Sequence, residues 1–299
     1  MKILASVINV AEAQTVLSAD VDVLDVKNPA EGSLGAAAPT VCREIAAIAR
    51  RAQVPVSVAL GDLEHQPGTA AWAALGAATL GADYIKLGLR GSTTARQARQ
   101  MMQAVREAVP ASPHAPAVVA CGYADYGDFS GLSLAALTSA AAESGCDYVM
   151  LDTLVKDGRS LFDHLAMETL REFILTAHSK HLRVALAGSL KQSHLPRLAA
   201  LAPDLIGVRG ALCANGQRSG AICLDATRAF LQAARAAHAE LGGNVSLSKS
   251  SKPTSGAHRA HPDSLATTGR ASIAGDPCEA RWTGRCGPSS DRTPEGGTT

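Results

Sequence analysis

Short apolar or β-branched runs alternate with longer Ala-, Leu- and Arg-rich segments of helical period through the first 242 residues, and the alternation occurs eight times. The short runs predict strands over 2–8, 21–27, 54–60, 83–89, 116–122, 147–152, 182–187 and 204–209. The longer ones predict helices over about 11–18, 39–52, 68–80, 93–108, 132–145, 164–180, 191–200 and 223–241. Capping residues sharpen several of these ends: Ser92-Thr-Thr precedes the fourth helix, Ser130 to Ser133 precede the fifth, and Gly81 and Gly145 follow helix ends. Eight β/α units over roughly 240 residues match a closed (β/α)8 TIM barrel. The alternative is an open doubly wound sheet, but no GxGxxG turn follows the first strand.

After Gly242 the periodic apolar positions stop, and Ser, Thr, Gly, Pro, Arg and His take over. The expected organisation is therefore a barrel domain over 1–242 and a disordered low-complexity extension over 243–299. His258, His261, Cys278 and Cys286 in that extension have spacings that fit no ordinary closed zinc site, and no metal is expected.

Composition narrows the function classes. A net charge of +1, 3% aromatic residues and no basic stripe argue against a nucleic-acid partner, and no apolar run approaches membrane-spanning length. Seven scattered cysteines, mostly inside apolar runs, read as reduced core thiols, and the N-terminus runs into Glu12 and Asp20 without a cleavage-type segment. A cytoplasmic location follows as the expectation. A homo-oligomer is compatible with the sequence, which sets no oligomeric state.

In a barrel, chemistry sits where strands end at their C-terminal face. The first 242 residues contain only six lysines, and three of them, Lys27, Lys86 and Lys156, fall at or just after the expected ends of strands 2, 4 and 6. Arginine serves as the surface cation almost everywhere else. An amine, unlike a guanidinium, can lose its proton when desolvated or crowded, and can then attack a carbonyl or act as a base. Asp25, two residues before Lys27, shares its strand face, and Asp152 ends strand 6 four residues before Lys156. Both carboxylates are candidates to orient an amine or move protons. Asp83 starts its strand and so belongs to the opposite mouth.

Two further loops suggest an anion. Ala187-Gly188-Ser189-Leu190 follows strand 7, and strand 8 ends in Gly207-Val208-Arg209-Gly210. Small residues there leave backbone N–H groups open to a phosphate, and Arg209 offers a charged fork. The Asn28 to Gly35 loop, with Asn28 and Ser33, is a second anion candidate.

Asp25-Val-Lys-Asn-Pro-Ala-Glu-Gly-Ser-Leu-Gly-Ala36, Gly81-Ala-Asp-Tyr-Ile-Lys-Leu-Gly-Leu89, Gly122-Tyr-Ala-Asp125, Met150-Leu-Asp-Thr-Leu-Val-Lys-Asp-Gly158, Leu186-Ala-Gly-Ser-Leu190 and Gly207-Val-Arg-Gly-Ala211 together resemble the (5-formylfuran-3-yl)methyl phosphate synthases of methanofuran biosynthesis. The resemblance covers about 1–240. It implies a lyase that condenses two glyceraldehyde 3-phosphates, with loss of one phosphate and water, to a furan aldehyde that keeps the other phosphate. It implies Lys27 as the Schiff-base lysine and Lys86 as proton acceptor, with Asp25, Asp152 and Lys156 assisting, and no cofactor. The family would also carry basic character around strand 5, whereas 116–128 contains no Lys or Arg, and Asp125 takes part of that place. Two other readings satisfy the same lysine and phosphate signals: another Schiff-base aldolase acting on triose or deoxysugar phosphates, or a catalytically silent sugar-phosphate-binding barrel.

Overall fold

A computed structural model describes residues 1–112 and 114–248. These lie within one compact unit. His258, His261, Cys278, Cys286 and most of the expected extension fall outside the described residues.

Eight strands close into one barrel in sequence order: β1 (Lys2–Val7), β2 (Val23–Val26), β3 (Val56–Glu64), β4 (Tyr84–Gly91), β5 (Ala117–Tyr123), β6 (Tyr148–Asp152), β7 (Arg183–Leu186) and β8 (Leu205–Val208). Every neighbouring pair is parallel, so each return is a helical crossover outside the barrel. The helices are α1 (Val10–Leu17), α2 (Pro39–Ala52), α3 (Pro67–Thr79), α4 (Ala95–Ala108), α5 (Leu134–Glu143), α6 (Leu161–His164), α7 (Met167–Ser179), α8 (Leu195–Leu201) and α9 (Leu224–Ser248). The helix expected over 164–180 is α7, with the short α6 standing ahead of it as an element the sequence reading did not expect, and the last helix runs past the expected domain end at 242. Thr94 and Ser133 cap α4 and α5 as their sequences suggest, and Gly81 and Gly145 take left-handed backbone beyond helix ends.

Two apolar clusters divide the core. Ile45, Met101, Leu137, Phe173 and Phe230 belong to the larger one, between helices and barrel. Leu4, Val23, Ala59, Val119, Met150, Ala185 and Leu205 fill the barrel itself. Register fixes the interior layers. Asp25 pairs with Ser57 and Ser57 with Tyr84; Lys86 pairs with Val119 and Val119 with Tyr148. Successive even strands are therefore staggered by two residues along a barrel layer, as a tilted eight-stranded barrel requires. The even strands contribute Val23, Tyr84, Tyr148 and Leu205 to the lowest layer, and Asp25, Lys86, Met150 and Gly207 to the middle one. Lys27, Gly88, Asp152 and Arg209 make the upper layer.

At the N-terminal mouth a fourfold device locks this register. Asp22, Asp83, Asp147 and Asp204 directly precede the four even strands, and each carboxylate accepts a 2.8 Å hydrogen bond from the start of the strand before it, at Ile3, Val56, Val118 and Val184 N–H. Each bond satisfies a strand-end donor that parallel pairing leaves open. The place of Asp83 at this mouth, opposite the lysines, is structural.

Candidate active site

The middle layer holds a buried charge pair. Asp25 is 0% and Lys86 1% exposed, and Lys86 Nζ lies 2.6 Å from Asp25 Oδ1. The approach is that of an ion pair, yet its angles fall outside hydrogen-bond geometry, so neither atom has a hydrogen-bond partner among the described residues. Ser6 Oγ donates to the other Asp25 oxygen at 2.8 Å. An isolated buried charge costs several kcal/mol, so each of these two groups is tolerable only because of the other. Lys86 is the third residue of β4 rather than one at its end, because β4 continues to Gly91.

The upper layer adds a second cluster. Lys27 follows β2 directly, and its Nζ donates to the Ser33 carbonyl at 3.2 Å and stands 3.8 Å from Asp152 Oδ2. Lys156 Nζ donates to Asp152 Oδ1 at 2.6 Å and to Thr153 Oγ1 at 2.9 Å. Burial, with Lys86 and Lys156 as like charges, lowers the Lys27 amine from 10.5 to about 8, against the opposing pull of Asp152 and Asp25. Burial pushes the Asp152 carboxyl up, but the Lys156 and Lys27 charges and the Lys156 and Thr153 N–H bonds outweigh it and hold the group below the usual carboxylate range. With Lys27 neutral, two carboxylates face two ammonium groups and the buried cluster balances.

Above this layer opens a cavity of about 550 Å³, lined by Ser6, Lys27, Asp152 and Lys156 on one side and by the β7 and β8 loops on the other. Gly188, Ser189, Gly207 and Gly210 all line it. The Gly188, Ser189 and Gly210 N–H groups donate to no acceptor among the described residues, which leaves them for an anion. Gly188 and Ser189 both take positive φ, 107° and 47°, turning the backbone into the cavity wall.

Three expected anion contacts are otherwise engaged. Arg209 gives its fork to Glu12 at 2.7 and 3.1 Å and its remaining donors to the carbonyls of Ser6, Arg218 and Gly220, so no N–H is left for a phosphate. It anchors α1 and the β8–α9 loop to the barrel. Asn28 caps the Pro29–Glu31 turn through the Ala30 N–H and donates to Glu31. The Ser33 hydroxyl donates to Thr153 O at 2.8 Å. Asn28 and Ser33 are not in the cavity wall. Asp125 spends both oxygens on the Leu154 and Val155 N–H groups, at 2.8 Å each, and so shapes the loop that carries Lys156.

Other residues come to the site without a linear signal. Lys191 and Arg218 line the cavity, and among the described residues the Arg218 side chain donates only to Gly32 O, at 3.4 Å, which leaves most of its donors open there. Tyr123 donates to Asp62, whose second oxygen accepts from Leu34 N–H at 3.0 Å. Among the described residues Cys42, Cys121, Cys146, Cys213 and Cys223 are free thiols, and no helix is long and apolar enough to cross a membrane.

The chain is similar to known proteins over this whole region. A family model described as 4-HFC-P synthase matches residues 3–230. The (5-formylfuran-3-yl)methyl phosphate synthase of Archaeoglobus fulgidus is 47% identical over 222 residues, 74% of this chain and 94% of the relative. The enzyme of the same name from Methanosarcina mazei is also 47% identical, with the same coverage. Among solved structures, 3-hexulose-6-phosphate synthase from Salmonella typhimurium superposes with a TM-score of 0.54 at 21% identity, covering 80% of this chain and 100% of that one, a likeness of fold alone. By the span of the family model and the identity to both archaeal enzymes, the chain belongs to the (5-formylfuran-3-yl)methyl phosphate synthase family.

Proposed function

We propose that the barrel condenses two glyceraldehyde 3-phosphates to (5-formylfuran-3-yl)methyl phosphate, with loss of one phosphate and water, through an imine on Lys27. The observation that carries this reading is a buried amine with a depressed pKa, placed between two carboxylates and two further amines and facing a cavity with open backbone donors.

The free Lys27 amine attacks a triose aldehyde, and loss of water leaves an iminium. That cation draws electrons from the adjacent carbon, whose proton passes to the Lys86–Asp25 pair and leaves a carbon nucleophile for the second aldehyde. Asp152 and Lys156, in contact with each other, are placed to exchange protons with the oxygens that leave as water and phosphate. The iminium keeps beside the cavity the positive charge that the Lys27 ammonium carries, which favours a bound phosphate dianion. Gly188, Ser189 and Gly210 N–H groups receive a substrate phosphate, supported by the open donors of Arg218. Soluble triose phosphates and free thiols support a cytoplasmic setting, where the product enters methanofuran-type cofactor biosynthesis.

Incubation with glyceraldehyde 3-phosphate is expected to release phosphate and build a furan chromophore. Borohydride is expected to fix substrate-derived mass on Lys27, located by peptide mapping. A simple ketose phosphate as the product would instead favour an ordinary Schiff-base aldolase, and no adduct on Lys27 would exclude the imine.

A further inference from the structure

Asp62 occupies a place that strand alternation denies it. Ser57, Ala59 and Gly61 alternate on the inward face of β3, so a regular strand would turn Asp62 toward the helices. The β3–β4 register instead breaks between Ala59 and Asp62, where Gly61 takes φ 117°. Such a bulge re-aims a side chain, and here it brings the Asp62 carboxylate to the catalytic mouth.

Two glycines make room for it. A side chain at Gly88, in the layer of Lys27 and Asp152, would start 2.5 Å from Tyr123 Oη and 2.6 Å from Asp62 Oδ1. One at Gly32, where φ is 137°, would collide with Asp62 Oδ2. Tyr123 is buried, and burial together with the Asp62 charge pushes its phenol well above its ordinary range, so it remains a hydrogen-bond donor to Asp62.

The other Asp62 oxygen accepts from Leu34 N–H, and the adjacent Ser33 carbonyl is the hydrogen-bond acceptor of Lys27 Nζ. Ser33 Oγ ties the same loop to Thr153 O, beside Asp152. The loop is clamped from β3 on one side and from the end of β6 on the other, with Lys27 beneath the clamp. We propose that Asp62 is a positioning residue for Lys27: by holding Leu34 N–H and the Tyr123 phenol it fixes the Ser33 carbonyl and keeps the amine dry and aimed for attack. This inference rests on the reading that Lys27 forms the imine.

The test uses the full chain and compares Asp62→Ala with Asp62→Asn by the pH dependence of borohydride trapping on Lys27 with glyceraldehyde 3-phosphate. The charged groups that set the amine's affinity for protons, Asp25 from β2, Lys86 from β4, Asp152 from β6 and Lys156 beyond it, are the same in all forms. Burial is the largest cause of the wild-type value of about 8, so releasing the loop admits water and moves the midpoint of Asp62→Ala upward toward 10.5. A complete return would cut the free amine at neutral pH by roughly 300-fold, the ceiling of the effect. Asp62→Asn, whose carbonyl can still accept from Leu34 and whose amide can meet Tyr123, is expected to keep the wild-type midpoint.

An unmoved midpoint in Asp62→Ala would overturn the proposal. So would a midpoint that falls equally in Asp62→Ala and Asp62→Asn, since loss of the carboxylate charge lowers the amine's affinity for protons and charge rather than the clamp would then be at work. If circular dichroism shows Asp62→Ala unfolded, Tyr123→Phe serves in the same assay, with a smaller upward shift expected and no shift overturning the proposal. Absence of trapping in the wild type would instead refute the imine reading.

Discussion

Replacing Asp152 by Asn should separate imine formation from turnover and move the two in opposite directions. Asp152 stands 3.8 Å from Lys27 Nζ and is the largest influence that holds a proton on that amine. At an effective dielectric constant of about 20, unit charges at this separation interact by about 4 kcal/mol. Local reorganisation retains only part of that. A quarter of it, about 1 kcal/mol, already brings the Lys27 midpoint from about 8 to near neutral pH. The free amine is then no longer about a tenth of the population at pH 7 but roughly a third of it, and even complete release of the proton would accelerate trapping by at most about tenfold. Asparagine still offers a carbonyl to Lys156 and Thr153, so the loop need not move. What it lacks is the basic carboxylate for the later proton transfers, and general acid–base groups contribute roughly 100-fold to 10,000-fold. The assay pairs single-turnover borohydride trapping with steady-state furan formation on the same preparation. Faster adduct formation with at least about 100-fold slower furan release is the expected signature. Trapping that falls in parallel with turnover would refute the assignment of Asp152 to steps after the imine.

Lys27 should also leave a mark on stability. Its folded-state pKa of about 8 lies below the unfolded value of 10.5, so between those limits the unfolded chain binds more protons and folding strengthens as pH rises. Urea titrations of wild type and Lys27→Met across that window should show the wild type gaining relative to the variant, by up to about 3 kcal/mol, and a constant difference would contradict the depressed pKa. The two arginines near the cavity should separate by phenotype. Arg218→Met is expected to raise KM for the triose phosphate by about tenfold or more through loss of a charge-assisted contact, while the fold stays intact. Arg209→Met strands buried Glu12 and is expected to cost about 3–5 kcal/mol in urea unfolding, with KM of the folded fraction little changed. The reverse pattern would restore Arg209 as the phosphate ligand.

The misplacement of Arg209 shows what a linear reading can and cannot reach. The eight strands are legible because each is a short apolar run between helical segments, and that signal is local. The lysines are legible because arginine is the default cation of this chain and lysine is the exception. Arg209 looks like a free fork at a strand end, but its partner Glu12 lies 197 residues away on α1, and the closing of β8 onto β1 brings them together. Asp62 is invisible for the opposite reason, because its sequence parity points it away from the site until the Gly61 bulge reverses it. Lys86 and Asp25 lie far apart in the chain and meet through the stagger of the barrel. The four Asp residues ahead of the even strands did have a readable signature, an Asp just before each of four strand starts, whose meaning depends on knowing which strand lies alongside.

The same stagger explains why the chemistry falls on even strands. In the middle and upper layers β2, β4 and β6 supply Asp25, Lys27, Lys86 and Asp152, and β8 supplies Gly207 and the committed Arg209. The odd strands offer Ser6, Ala59, Cys121 and Ala187, which are small. Small residues on one set leave the volume that long lysine side chains on the other set need to cross the interior. Arginine in their place would be permanently charged and could neither attack a carbonyl nor accept a proton. An anion held by backbone N–H groups at Gly188, Ser189 and Gly210 keeps its donors in every protonation state of Lys27, because those groups carry no titrating charge of their own.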